Sequence, residues 1–145
     1  MQIKDTIGIN NAKLIKGNIN AELKNLSYDT RTIKEGDTFL GLNGEKVNGS
    51  IFYEEALKKG AKTCILCKID IDNEILKKYN NVNIILVDDT LEYIIALAKK
   101  KRESLNIPII AVTGSVGKTS TRNIIASVLA SKYKVLKTER NLNTN

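Results

Sequence analysis

Ile107-Pro108-Ile109-Ile110-Ala111-Val112-Thr113-Gly114-Ser115-Val116-Gly117-Lys118-Thr119-Ser120 is the stretch on which the reading of this chain turns. Its first seven residues form an apolar run of the kind a strand shows when a parallel sheet buries both its faces. Two close glycines follow, and then Ile124, Ile125, Val128 and Leu129 mark one face of a helix within Ser120 to Ser131. Strand, glycine loop, helix is the order in which a backbone wraps a phosphate. Gly114 and Gly117 lack Cβ atoms, so the chain can take positive φ there and turn successive N–H groups toward anionic oxygens. The helix that follows points its positive end at the same place. On this reading Gly114, Ser115, Val116, Gly117, Lys118, Thr119 and Ser120 cradle the phosphates of a bound ligand. Lys118 is placed to reach the β- and γ-phosphates as a mobile charge, and the Thr119 hydroxyl to help hold Mg²⁺. The full pattern G-x-x-x-x-G-K-[ST] asks for glycine where this chain has Val112. An ordinary βα turn would produce similar letters, and it is the apolar run before and the amphipathic helix after that favour phosphate.

Composition narrows the chemistry further. The chain has 145 residues, 42% of them hydrophobic, with 23 Lys+Arg, 16 Asp+Glu and no His. That is the balance of a globular domain, neither disordered nor fibrous. Without histidine there is no imidazole base, no His-based triad and no Cys/His zinc site. Any catalysis must run on lysine, carboxylates, hydroxyls and backbone. No apolar run reaches signal-peptide or membrane-span length, ~20 residues for the latter, so a cytoplasmic location is expected. Cys64 and Cys67 are read as reduced core residues, because positions three apart on a strand face opposite sides and cannot share a ligand.

Short apolar or alternating runs predict strands at Lys13 to Lys16, Leu26 to Tyr28, Thr38 to Leu42, Thr63 to Cys67 and Ile84 to Val87. Helices are expected at Ile51 to Lys59, with Phe52, Ala56 and Leu57 facing inward and Gly60 as the stop, and at Asn73 to Tyr79. Asp89 to Leu105 is the clearest helix: Leu91, Ile94, Ile95, Ala98 and Leu105 recur at helical spacing, and Asp89 with Glu92 forms a capping pair. Helices alternating with strands indicate an α/β layer structure. Charge suggests a division at 88/89. Residues 1–88 hold 13 Lys+Arg and 12 Asp+Glu, a net of +1, whereas 89–145 hold 10 and 4, a net of +6. Lys99-Lys100-Lys101-Arg102 lies at a helix C-terminus, where cations offset the macrodipole, and no stacking aromatics interleave with it.

At this point the residues carry a resemblance. Thr113-Gly114-Ser115-Val116-Gly117-Lys118-Thr119 resembles the shortened phosphate loop T-G-x-x-G-K-[ST] of the Mur ligases, in which the first glycine is absent as a rule. Lys137-Thr138-Glu139-Arg140-Asn141-Leu142-Asn143 is similar to the family's T-x-G-N-x-N loop, with Arg140 in the usual glycine's place. Upstream, Asp29-Thr30-Arg31, Glu35-Gly36-Asp37-Thr38-Phe39, Gly44-Glu45, Asn48-Gly49-Ser50-Ile51-Phe52 and Glu55-Ala56-Leu57-Lys58-Lys59-Gly60-Ala61 resemble the family's N-terminal domain. There Asn48 stands for the usual Asp and Ser50 for the usual His.

The resemblance implies a small mixed-sheet UDP-sugar-binding domain over 1–88 and the beginning of a parallel-sheet ATPase domain over 89–145. It makes Thr30, Arg31, Asn48 and Ser50 contacts of a UDP-N-acetylmuramoyl-peptide, where Asp29 and Arg31 alone would read as a surface ion pair. Activity is expected to be ATP-driven amide synthesis through an acyl phosphate, with ATP and Mg²⁺. Ser115-Val116 is similar to the branch that joins D-alanyl-D-alanine to a UDP-muramoyl-tripeptide; the alternative is the branch that adds the third amino acid. The remaining metal ligands, most adenine contacts and a C-terminal domain come later in the family's chains. This 145-residue chain is therefore expected to be an inactive N-terminal fragment that self-associates through exposed sheet edges. A reading of another class is a non-enzymatic basic module binding nucleic acid through Lys99 to Arg102 and Arg122 to Lys137, with steep salt dependence and no need of Mg²⁺.

Overall fold

Five strands form one mixed sheet in the computed structural model, which describes residues 1–44 and 47–138. They are β1 (Lys13–Lys16), β2 (Leu26–Ser27), β3 (Thr38–Leu40), β4 (Thr63–Cys67) and β5 (Asn83–Val87), in the order β1-β5-β4-β3-β2. From β2 to β5 neighbours are parallel, and β1 runs antiparallel to β5 with Lys13 opposite Leu86. Alternation along the central strands sends Cys64, Leu66 and Ile84 to one face and Ile65, Cys67, Ile85 and Val87 to the other. The two cysteines are reduced, buried and on opposite faces, as read from their spacing.

Each face is covered because it is apolar. Helices α1 (Tyr53–Lys58) and α2 (Asn73–Lys78) close the Cys64 side through Tyr53, Ala56 and Leu57, with Ile75 and Leu76 partly buried. Helix α3 (Thr90–Glu103) and the N-terminal segment close the Ile65 side through Tyr93, Leu97, Ile3 and Ala12. Phe52, expected inward, is exposed, and its neighbour Tyr53 takes the core position. The face of α3 differs from the expected one except at Ile94, which is partly buried against the core. Leu91 and Ile95 are more than half exposed, and Ala98 and Leu105 are exposed too, while Thr90, Tyr93 and Leu97 are buried. Two apolar stripes lie side by side on this helix, and the one bearing the large Tyr93 packs.

Asp89 caps α3, accepting from the amides of Leu91 at 2.8 Å and Glu92 at 2.9 Å. Glu92 does not return to the Asp89 amide as a capping box would. Asn10 takes that place: its Oδ1 accepts from the Asp89 amide at 2.7 Å, and its Nδ2 donates to Glu92 Oε2 at 2.9 Å.

The chain divides into two compact units, Met1–Leu105 and Asn106–Asn145. The division falls at Leu105 and not at 88/89, because α3 buries Tyr93 and Leu97 in the core of the first unit. Charge changes at 89, but packing does not.

In the second unit α4 spans Lys118–Ala130. Ile107 to Thr113, expected as a buried strand, forms no ladder, and Ile107, Ile109 and Ile110 are more than half exposed. A strand exists only where another segment takes up its N–H and C=O groups. No segment among the described residues of this unit does so, Val135 to Lys137 included. The second-loop motif from Glu139 onward, and Glu45, lie outside the described residues. Among the described residues no helix is long and apolar enough to cross a membrane.

Candidate functional site

The loop ahead of α4 has the backbone that its glycines allow. Gly114 has φ +148° and Gly117, at the helix N-cap, has φ +77° with no side-chain cap. A residue with Cβ would be strained at either position. No acidic residue lies in the first turn of the helix. Among the described residues, the amides of Ser115, Val116, Gly117, Lys118, Thr119 and Ser120 find no acceptor; the first helical bond is from the Thr121 amide to Gly117 O at 2.9 Å. These donors, together with the helix dipole, form an electropositive end suited to an anion. The Lys118 ammonium folds back over the loop, donating to Gly114 O and, at 3.4 Å, to Ser115 O. An arriving anion would take it from those carbonyls. The Thr119 hydroxyl is exposed and hydrogen-bonds to no described residue, so a lone pair is free for a hard cation.

In the first unit the strands β2 to β5 all end on one edge, the place where open parallel sheets hold ligands. After β2, Asp29 caps the 3₁₀ turn Thr30–Thr32 by accepting from the Arg31 amide at 2.9 Å. Its carboxylate also receives Arg31 Nε at 2.9 and 3.1 Å and Nη2 at 2.7 Å. This pair holds the Asp29 carboxyl down at about 2, the side-chain bond from Arg31 being the main cause. The Arg31 side chain remains 84% exposed, and its Nη1 bonds to no described residue. Thr30 Oγ1 donates to Glu55 Oε1 of α1 at 2.9 Å, and Lys59 Nζ donates to the same oxygen at 2.8 Å.

Asn48 and Ser50 are differently placed. Asn48 caps the 3₁₀ turn Gly49–Phe52, accepting from the Ser50 amide at 3.0 Å, and its Nδ2 reaches Cys67 O at 3.1 Å and Lys68 O at 3.2 Å. Ser50 is 0% exposed. Its hydroxyl accepts from the Cys67 amide at 2.9 Å and donates to Gly41 O at 3.2 Å. A ladder continued past Leu40 would join Cys67 N to Gly41 O directly, and the serine oxygen is inserted into that rung. Thr90, at the start of α3, donates to the same Gly41 O at 3.0 Å and accepts from the Asn43 amide at 3.2 Å. Ser50, expected to face a ligand, is thus a buried tie behind the 41–49 loop. Of the four expected residues in this unit, Thr30 and Arg31 lie together on the open edge, and Asn48 and Ser50 build the loop beside it.

Sequence reasoning missed Glu55, Thr90 and the groove beside β1. Glu55 and Lys59 carried a signal in their i,i+4 spacing. The groove, about 430 Å³, is lined by Asn11, Lys13, Lys68, Asp70 and Asp88 among others. Lys68, at φ +49°, gives no sign of this in its letter.

The structure thus has a glycine loop at an uncapped helix start, with a small mixed-sheet unit ahead of it in the chain. Comparison with known proteins narrows this. The family model described as Mur ligase family, catalytic domain, matches residues 22–102. The chain belongs to the Mur ligase family.

Among curated relatives, UDP-N-acetylmuramoyl-tripeptide–D-alanyl-D-alanine ligase of Bacillus subtilis is 34% identical over 99% of this chain and 31% of its own length. The ligase of the same name in Synechocystis is 40% identical over 83% of this chain and 26% of its own length. UDP-N-acetylmuramoyl-L-alanyl-D-glutamate–2,6-diaminopimelate ligase of Clostridium perfringens is 35% identical over 81% and 23%. Among solved structures, MurF from Acinetobacter baumannii superposes with a TM-score of 0.79 at 28% identity, over 98% of this chain and 30% of that one. MurF ligase from Thermotoga maritima, solved in complex with ADP, gives 0.68 at 29% identity, over 83% and 26%. The chain spans less than a third of the length of these relatives.

Proposed function

We propose that this chain supplies the UDP-substrate domain and the phosphate loop of an ATP-dependent ligase that joins D-alanyl-D-alanine to a UDP-N-acetylmuramoyl-tripeptide. The observation that carries the reading is the row of amides from Ser115 to Ser120 that bond to no described residue, at an uncapped helix start with Lys118 folded over it. In the reaction, Gly114 to Ser120 hold the phosphate chain and exclude water from one side of it. Lys118 moves from the loop carbonyls to the terminal phosphate and offsets charge as the phosphoryl group is transferred. The Thr119 hydroxyl would hold Mg²⁺, which would supply charge neutralisation at the phosphoryl oxygens. Thr30 and Arg31 bind the uridine diphosphate end of the other substrate, on the edge shaped from behind by Asn48 and Ser50. The match to a ligase of Bacillus subtilis with this activity, over nearly the whole chain, supports the choice of amine.

Mg-ATP titration of the chain tests this. Lys118→Ala should weaken binding about 10- to 150-fold, the worth of one charge-assisted hydrogen bond. A single-stranded oligonucleotide, titrated at two salt concentrations, should bind weakly and without regard to Lys118. Tight oligonucleotide binding that collapses with salt, alongside indifference to Mg-ATP, would establish the basic-module reading instead. By itself the chain should release no phosphate when UDP-muramoyl-tripeptide and D-alanyl-D-alanine are supplied. The similarity to the diaminopimelate-adding ligase supports a second reading, in which the third amino acid is added. Assaying the longer polypeptide with D-alanyl-D-alanine and with diaminopimelate separates the two. The exposed Ile107, Ile109 and Ile110 also favour self-association, which sedimentation at rising concentration would reveal.

A further inference from the structure

We propose that Glu55 is a positioning residue that fixes the polarity of Thr30, so that Thr30 meets the UDP-bearing substrate as a hydrogen-bond acceptor only. This rests on the reading of Thr30 as a substrate contact and adds what kind of contact it is. A threonine hydroxyl has one proton and two lone pairs, and free in solution it serves either role. Here the proton is committed, since Thr30 Oγ1 donates to Glu55 Oε1 at 2.9 Å.

The acceptor is itself held in one state. Lys59 Nζ binds the same Oε1 at 2.8 Å, one helical turn along α1. The Glu55 carboxyl is held below its usual range by Lys59 first and by Thr30 second, against partial burial and the charge of Asp29. Ionised, Glu55 can only accept, and Thr30 can only donate to it. What Thr30 offers outward is lone pairs.

The neighbouring residue is fixed in the opposite sense. Arg31 spends Nε and Nη2 on Asp29 and keeps Nη1 free of described partners. Side by side at the end of β2, the edge presents one acceptor and one cationic donor. That combination suits a ligand carrying anionic oxygens close to an O–H or N–H donor, which is the chemistry of a nucleoside diphosphate. Ribose hydroxyls and the uracil imide are such donors, and the diphosphate supplies the anion. A ligand offering only acceptors at the Thr30 position would face two sets of lone pairs and be refused.

The test is a double-mutant cycle on the chain, read by ¹⁵N amide shifts during titration with UDP. Thr30→Val and Glu55→Ala should each weaken UDP binding about five- to tenfold, the worth of one neutral hydrogen bond. The double variant should bind no worse than Thr30→Val alone, because Glu55 acts only through the hydroxyl. Thr30→Ser, which keeps the hydroxyl, should restore both the affinity and its dependence on Glu55. Losses that multiply in the double variant would overturn the positioning role while leaving Thr30 a contact. Undiminished binding by Thr30→Val would overturn the contact itself, and no shift with UDP in the unaltered chain would overturn the substrate reading and this one together. Dispersed amide spectra in every variant exclude unfolding as the cause.

Discussion

Replacing Ser50 by alanine tests the inserted rung directly. The Ser50 hydroxyl is fully buried and is the acceptor of the Cys67 amide at 2.9 Å. Its removal leaves Gly41 O with a partner, because Thr90 still donates to it at 3.0 Å. The Cys67 N–H has no such reserve. A buried donor stripped of its acceptor costs about 1–3 kcal/mol, since water cannot replace what is lost. For a unit of this size about 2 kcal/mol lowers the melting temperature by roughly 8–16 °C. Thermal unfolding followed by far-UV circular dichroism gives the magnitude, and hydrogen exchange gives the place. Exchange at Cys67 should accelerate more than at Ile65 or Leu66, whose surroundings are unchanged. A Ser50→Ala protein within about 0.5 kcal/mol of its parent, with Cys67 exchange unaltered, would refute the argument that the hydroxyl is a ladder element.

Three further outcomes follow from the packing and the charges. Leu97→Ala should cost about 2–5 kcal/mol in a urea melt while Leu91→Ala stays within about 0.5 kcal/mol, because only Leu97 faces the sheet. The Asp29 carboxyl, held at about 2 by Arg31, gives its pair in full above the ordinary carboxylate value of about 3.9. That contribution fades as pH falls through about 2, so carboxyl ¹³C shifts should show a midpoint near there, and Arg31→Met should return it toward about 4. Burial pushes the Cys64 thiol up to about 12. The native state therefore keeps this proton where the unfolded chain loses it, and stability should decline between about pH 9 and 12, with iodoacetamide labelling Cys64 only on unfolding.

The strands and helix limits were legible because they depend on local pattern. Thr63 to Cys67 was read with its observed bounds, and Asp89 to Leu105 brackets the observed Thr90–Glu103. Which face of α3 packs was not legible, since Leu91-Ile95-Ala98 and Tyr93-Leu97 are both apolar stripes and period alone does not rank them. Ile107 to Thr113 shows the limit of an apolar run: its letters suit a strand, but a strand also needs a partner, and partners are a property of the whole sheet. At the candidate site, the glycine loop was legible because backbone freedom at Gly114 and Gly117 is written in the residue type. Ser50 was misplaced for the opposite reason. A serine has the same letter whether it meets a ligand or completes a broken rung, and only the register of β3 on β4 distinguishes them. The direction of the Thr30 proton likewise depends on Glu55, twenty-five residues away in sequence.

The pairing of β1 with β5 has a consequence for how the first unit is made. Lys13 to Lys16 emerge early in synthesis, yet their partners, Ile84 to Leu86, are translated after every other strand. Until then β1 has no ladder partner, although Ile3 and Lys4 can already bond to Ala21 and Ile19. The Asn10 clasp on Asp89 and Glu92 is equally late. The unit is therefore stitched shut by its own beginning and end, with the large loop-closure cost of that final step borne at once. Nascent chains halted before Val87 should leave Lys13 to Lys16 open and protease-sensitive, whatever local helices have already formed.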